Sequence, residues 1–214
     1  PKDIAFSYLD KNKVKVSKTY QEFYDEVRLV SNYMANLYNN KHLGLIGNNS
    51  YEFLVIFMSI VISGNCAVII DKDLDSNDIK KMLKNTNTNT CFYSKEYCDN
   101  LSGIGSKMYP IEEIDTYKSE KDFVRFTNPK DCRVIFFTSG TTGFNKAVML
   151  SEENICFDIW SLASLFKPNG SVYAVLPFHH SFGLITGILK PFYYHKPIFI
   201  NSSLMSEDDT VDFI

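Results

Sequence analysis

At 214 residues, with 45% hydrophobic and 22% charged residues, the chain is long enough to bury a sizeable core, and its composition is ordinary for one large or two small soluble globular domains. A formal net charge of −3 with no basic stripe excludes a general nucleic-acid binder, which needs clustered Lys and Arg. The lysines from Lys11 to Lys18 are spaced among apolar residues, as on the wet face of a strand.

In chain order, Ile4–Leu9 and Val14–Val16 read as a strand pair. Thr19-Tyr20-Gln21-Glu22 is a capping box, and the apolar spacing of Phe23, Val27, Val30, Met34 and Leu37 predicts one buried face of a helix running to about Tyr38. Leu43–Ile46 is a short apolar run, Gly47-Asn48-Asn49-Ser50 turns, and Asn49 or Ser50 caps a helix to about Ile62. Phe53 to Ile70 is uncharged and mostly apolar, near the lower limit for a membrane span. Ser63-Gly64-Asn65 interrupts it, so a helix ending at Gly64 followed by a buried strand Cys66–Ile70 is expected instead. Asp75 or Ser76 caps a helix to about Lys84, and Thr90–Tyr93 is a strand. From Asn100 to Lys130 the glycines and prolines suggest irregular chain. Arg133–Phe137 and Ala147–Leu150 are strands, Ser151 caps a helix, Val172–Leu176 is a strand ended by Pro177, and a helix from about Ser181 to Leu189 precedes a strand Pro197–Ile200. The alternation of helices with near-continuous apolar strands predicts an α/β fold with largely parallel sheets flanked by helices.

The five cysteines, Cys66, Cys91, Cys98, Cys132 and Cys156, include no C-x-x-C pair. They are expected to be reduced, mostly buried thiols, which suits a cytoplasmic location. Pro1-Lys2-Asp3-Ile4 has no apolar signal region, so no signal peptide is expected.

The chemistry concentrates between the strands Arg133–Phe137 and Ala147–Leu150. Thr138, Ser139, Thr141 and Thr142 supply hydroxyl donors, and Gly140 and Gly143 let backbone N–H groups approach an anion closely. Lys146 adds a positive charge. This is phosphate-binding chemistry without a helix N-terminus, and it lacks the G-x-x-x-x-G-K-[ST] order of a Walker loop because Asn145 precedes Lys146 and Ala147 follows it.

Phe137-Thr138-Ser139-Gly140-Thr141-Thr142-Gly143-Phe144-Asn145-Lys146-Ala147-Val148 resembles the signature of the adenylate-forming superfamily, approximately YTSGTTGxPKGV. That superfamily includes acyl-CoA synthetases, adenylation domains of nonribosomal peptide synthetases and firefly luciferase. Asn145 stands where the pattern usually has Pro, and Ala147 where it usually has Gly; Ser151-Glu152 replaces a common Thr-His. Leu176-Pro177-Phe178-His179-His180-Ser181-Phe182-Gly183 is similar to the LPxxHxxG segment, with His180 in the place of the family His. Gly64 to Asp71 is similar to GAxxVPLD, without its Pro.

The resemblance implies that residues 1–214 form the N-terminal portion of a large AMP-binding domain, with a subdomain break near 100–130 and the C-terminal domain outside this sequence. It implies ATP with Mg2+, a small-molecule carboxylic acid, and CoA or a carrier-protein phosphopantetheine as the thiol acceptor. It assigns Thr138 to Gly143 and Lys146 to the ATP phosphates and His180 to the surroundings of the acyl group. It places the catalytic Lys, the adenine and ribose contacts and a hinge beyond Ile214, and it singles out no metal ligand here. The chain alone is then expected to fold without catalysing. Two further readings remain: an amino-acid adenylation domain loading a carrier protein, and a non-catalytic ATP-binding or interaction relic.

Overall fold

A computed structural model describes residues 2–101, 103–123, 128–138, 146–165 and 169–201. The elements in order are β1 (Ile4–Leu9), β2 (Lys15–Thr19), α1 (Tyr20–Leu37), β3 (His42–Ile46), α2 (Tyr51–Ile62), β4 (Cys66–Ile70), α3 (Ser76–Asn85), β5 (Thr90–Tyr93) and β6 (Lys107–Pro110). They continue as β7 (Cys132–Thr138), β8 (Lys146–Ser151), α4 (Glu152–Leu165), β9 (Val172–Ala174), a π-helix (Phe182–Leu189), α5 (Lys190–Tyr193) and β10 (Ile198–Ile200). The chain divides into two compact units, one of Pro1–Asp25, Asn48–Tyr51 and Ile155–Ile214, the other of Glu26–Gly47 and Glu52–Asn154. Residues 100–130 therefore fall inside the second unit.

The first unit holds a sheet in the order β2-β1-β10-β9. The β1–β2 pair is antiparallel, closed by a turn in which Asp10 Oδ1 accepts from the backbone N–H of Asn12 and Val14. The β1–β10 and β10–β9 pairs are parallel. Its core is aromatic: the Phe6 ring meets those of Phe23, Tyr51 and Phe192 at centroid distances of 4.8, 6.0 and 5.7 Å. Rings at this spacing add about 0.5–1.5 kcal/mol per pair beyond their area burial.

The second unit is built on a six-stranded sheet in the order β6-β5-β3-β4-β7-β8. Every pair is parallel except β7–β8. All residues of β4 and β5 are buried, as expected of central strands covered on both faces. Ile46, Val68, Ile70, Ile79, Met82, Leu83, Cys91 and Ile135 form one apolar cluster around them.

Local signals account for the element ends. The capping box forms as read: Glu22 Oε2 accepts from Thr19 N–H at 2.7 Å and Thr19 Oγ1 accepts from Glu22 N–H at 3.2 Å. Asp75 is the N-cap of α3, its carboxylate accepting from Asn77 and Asp78 N–H. Ser151 caps α4 reciprocally with Asn154: Ser151 Oγ accepts from Asn154 N–H, and Asn154 Oδ1 accepts from Ser151 N–H. The α2 helix has 12 residues and is buried on most sides, at Phe53, Leu54, Val55, Ile56, Phe57 and Ile60. Gly64 ends it with φ of 84°. Among the described residues no helix is long and apolar enough to cross a membrane.

Two expectations need correction besides the strand read as Val172–Leu176, which ends at Ala174. The stretch read as irregular contains β6, a short edge strand whose residues are exposed or half-buried and which ends at Pro110, so it lacks the apolar run that marks the central strands. The cysteines are not mostly buried: Cys66 and Cys91 are, Cys132 is half-buried, and Cys98 and Cys156 are exposed. Exposed α4 and the outer end of the Tyr93–Cys98 turn carry the last two, positions that periodicity does not distinguish.

Candidate functional site

In the second unit the parallel strands put the carboxyl ends of β3, β4, β5 and β7 on one edge of the sheet, the edge at which α/β sheets bind ligands. The strand β7 runs buried through Val134, Ile135 and Phe136 and emerges there at Thr138, which is exposed. The chain returns antiparallel as β8, beginning at Lys146, also exposed. The register pairs Thr138 directly with Lys146, and Phe137 with Ala147. Directly opposed residues point to the same face with Cβ atoms about 4.5–5.5 Å apart. A hydroxyl and an ammonium arm thus flank the base of the connecting loop. Ser139, Gly140, Thr141, Thr142 and Gly143, assigned to phosphate binding from their motif, lie outside the described residues, as does Asn145.

In the first unit, the segment Leu176–Ser181 leaves β9 and turns into the π-helix. Asn49 fixes it with both ends of its amide: Nδ2 donates to Leu176 C=O at 2.9 Å, and Oδ1 accepts from Phe178 N–H at 2.9 Å. The Phe178 side chain is buried. His180 N–H donates to Pro177 C=O at 3.1 Å, closing the turn, and Leu184 N–H donates to His180 C=O at 3.0 Å, opening the helix. A Cβ at Gly183 would collide with the Pro177 carbonyl oxygen, so the helix approaches the turn as closely as it does only because residue 183 has no side chain. The backbone of His180 is therefore held from both sides. Its ring is exposed and lies 4.4 Å, centroid to centroid, from the ring of His179. The helix winds with π geometry, Lys190 N–H bonding Ile185 C=O, a winding that is rare and frequent at functional sites.

Asn49 was legible in the sequence only as a helix cap. Its partners lie 127 and 129 residues away, and no spacing rule reveals such a contact. Removing the amide in Asn49→Ala leaves Leu176 C=O and Phe178 N–H without it, and the expected loss is about 1–3 kcal/mol in urea unfolding. Asn49→Asp keeps the acceptor for Phe178 and is expected to lose less. Equal stability of wild type and Asn49→Ala would show that the clamp does not hold the turn.

No group of three or more His, Cys, Asp or Glu residues that could hold a metal ion occurs among the described residues.

Comparison with known proteins places the chain in a family. A family model described as "AMP-binding enzyme" matches residues 1–199. A probable 4-coumarate–CoA ligase 3 of Dictyostelium discoideum is 26% identical over 190 residues, covering 72% of this chain and 34% of that protein. Tyrocidine synthase 3 of Brevibacillus parabrevis is 23% identical over 177 residues, covering 81% of this chain and 3% of that protein. The crystal structure of ATP-bound MatB from Rhodopseudomonas palustris superposes with a TM-score of 0.84 at 19% identity, covering all of this chain and 44% of that one. The chain thus spans about a third or less of the length of these curated relatives.

Proposed function

Because this chain belongs to the AMP-binding enzyme family, whose model matches residues 1–199, we propose that it is the N-terminal part of the large domain of an ATP-dependent acid–thiol ligase. In the reaction proposed, a carboxylate oxygen attacks the α-phosphorus of ATP and pyrophosphate leaves, giving an acyl-adenylate. A thiol, from CoA or a carrier-protein phosphopantetheine, then displaces AMP. Such transfers are accelerated chiefly by positioning and by charge placed where the leaving group develops it.

The observation that carries the reading is the direct pairing of Thr138 with Lys146 at the carboxyl end of β7. In the proposal, Thr138 and the hydroxyl and backbone donors of Ser139 to Gly143 surround the β- and γ-phosphates, and Lys146 offsets the charge on departing pyrophosphate. His180, held by the Asn49 clamp, contributes to the surroundings of the acyl group. The adenine, ribose and catalytic-lysine contributions are assigned to polypeptide beyond this sequence, in line with the share of the relatives it covers. Mg2+ is assigned to the phosphates of ATP, where that ion is ordinarily held. A cytoplasmic setting suits a chain whose five cysteines form no disulfide among the described residues.

Under this reading the 214-residue chain alone supports no ATP–pyrophosphate exchange with any of a panel of carboxylic acids. Robust exchange by the chain alone would refute the assignment of essential groups elsewhere. The acceptor is tested on the longer polypeptide by supplying CoA or a phosphopantetheinylated carrier. Formation of AMP and a CoA thioester supports the acyl-CoA synthetase reading, favoured here by the 4-coumarate–CoA ligase similarity. Exclusive loading of the carrier supports an amino-acid adenylation domain, the reading to which the tyrocidine synthase similarity points. Release of ADP in place of AMP would refute both.

A further inference from the structure

Cys66 and Cys132 lie 66 residues apart in sequence, yet their Sγ atoms stand 3.4 Å apart. Simple strand pairing does not explain this. Ala67 lies beside Val134, so Cys66 falls opposite Arg133, and an unbroken pleat would turn Cys132 to the other face. A bulge re-aims it: β7 advances two residues, from Cys132 to Val134, while β8 advances one, from Ser151 to Leu150. The two sulfurs differ in access, Cys66 being 2% exposed and Cys132 half-buried.

The bulge residue is Arg133, 1% exposed. Its Nη1 donates to Gly64 C=O at 3.0 Å and its Nη2 to Asp131 at 3.2 Å, while Nε has no hydrogen-bond partner among the described residues. The buried guanidinium favours the thiolate at both sulfurs. The hydrogen bond between the two thiols, in which either sulfur can donate, is the larger influence: it pulls the Cys132 thiol down and, with burial, pushes that of Cys66 up. Cys132 is thus the more accessible sulfur and the one whose thiol is pulled down, with the buried Cys66 sulfur in contact with it.

We propose that Cys66 and Cys132 form an oxidisable dithiol, a modification site that reacts with hydrogen peroxide and closes to an intramolecular disulfide. The Cys132 thiolate attacks one peroxide oxygen; an S–O bond forms, the O–O bond breaks, and the departing hydroxide takes a proton to become water. Cys66 then attacks the Cys132 sulfur; the S–S bond forms, the S–O bond breaks, and hydroxide leaves as water with the Cys66 proton. The two thiols lose two electrons and two protons, and peroxide is reduced to two waters. The disulfide staples the starts of β4 and β7, the strand that ends at Thr138.

The test treats the full reduced chain with hydrogen peroxide, blocks remaining thiols with iodoacetamide, and maps the peptides by mass spectrometry. The expected result is a peptide joining Cys66 to Cys132, reversed by dithiothreitol, with Cys91, Cys98 and Cys156 still alkylated. In Cys66→Ser, dimedone is expected to trap a sulfenic acid at Cys132; in Cys132→Ser, neither the cross-link nor that adduct forms. A wild-type chain in which Cys132 stays alkylatable, carries dimedone, or pairs with another cysteine would overturn the proposal, and this reading needs no variant to fold.

Discussion

In a polypeptide that carries this chain with the rest of the ligase, Lys146→Ala is expected to slow acyl-adenylate formation about 10²–10³-fold, the usual loss when one preorganised donor to developing charge is removed. Lys146 is exposed and opens β8 opposite Thr138, so its side chain packs against no core. The same substitution should therefore change folding stability by no more than about 0.5 kcal/mol. Pre-steady-state adenylate formation and urea unfolding, measured on the same variant, separate the two effects. Lys146→Arg keeps the charge and should recover part of the rate, though the planar guanidinium does not reproduce a compact ammonium. An unchanged adenylation rate in Lys146→Ala would remove this residue from the phosphate-binding role.

Gly183→Ala is expected to destabilise the chain by about 1–3 kcal/mol, the range for forcing an extra carbon into a packed site. The atom in the way is the Pro177 carbonyl oxygen, which is backbone and cannot rotate aside. Relief requires the turn carrying His180 or the π-helix to move. Gly187, one turn further on, is the control: nothing lies within 4 Å of a Cβ built there. Gly187→Ala should be neutral or stabilising by up to about 1 kcal/mol, since glycine inside a helix costs backbone entropy. Chemical denaturation of both variants decides it. In the longer polypeptide, Gly183→Ala should also raise KM for the carboxylic acid if His180 lies near the acyl group. Similar stabilities for the two variants would mean that the close approach at Gly183 does not determine the geometry of the turn.

Most of the α/β architecture could be read from local signals that the structure bears out. The Thr19–Glu22 box, the Asp75 cap, Gly64 after an apolar helix, and the fully apolar Cys66–Ile70 strand each act within a few residues, which is the range that sequence patterns report. Edges were harder. The β6 strand has exposed residues and a terminal proline, so it resembles a loop. The Val172–Leu176 strand stops at Ala174, and beyond it Leu176 C=O accepts from Asn49 rather than from a sheet neighbour. Of the candidate site, Thr138 and Lys146 were named from their motif and stand paired in the hairpin. Asn49, Gly183's dependence on Pro177, and the Cys66–Cys132 contact were not legible because each joins residues brought together only by the fold. The cysteine contact also depends on a bulge, which shifts side-chain direction without leaving a mark in composition.

Adenylate-forming activity is tested most directly by the exchange of labelled pyrophosphate into ATP by the longer polypeptide, surveyed across carboxylic acids. The expected result is exchange that depends on an acid, proceeds without any thiol, and falls about 10²–10³-fold in Lys146→Ala. Absence of exchange with every acid, in a folded protein that binds ATP, would contradict it and leave a nucleotide-binding relic.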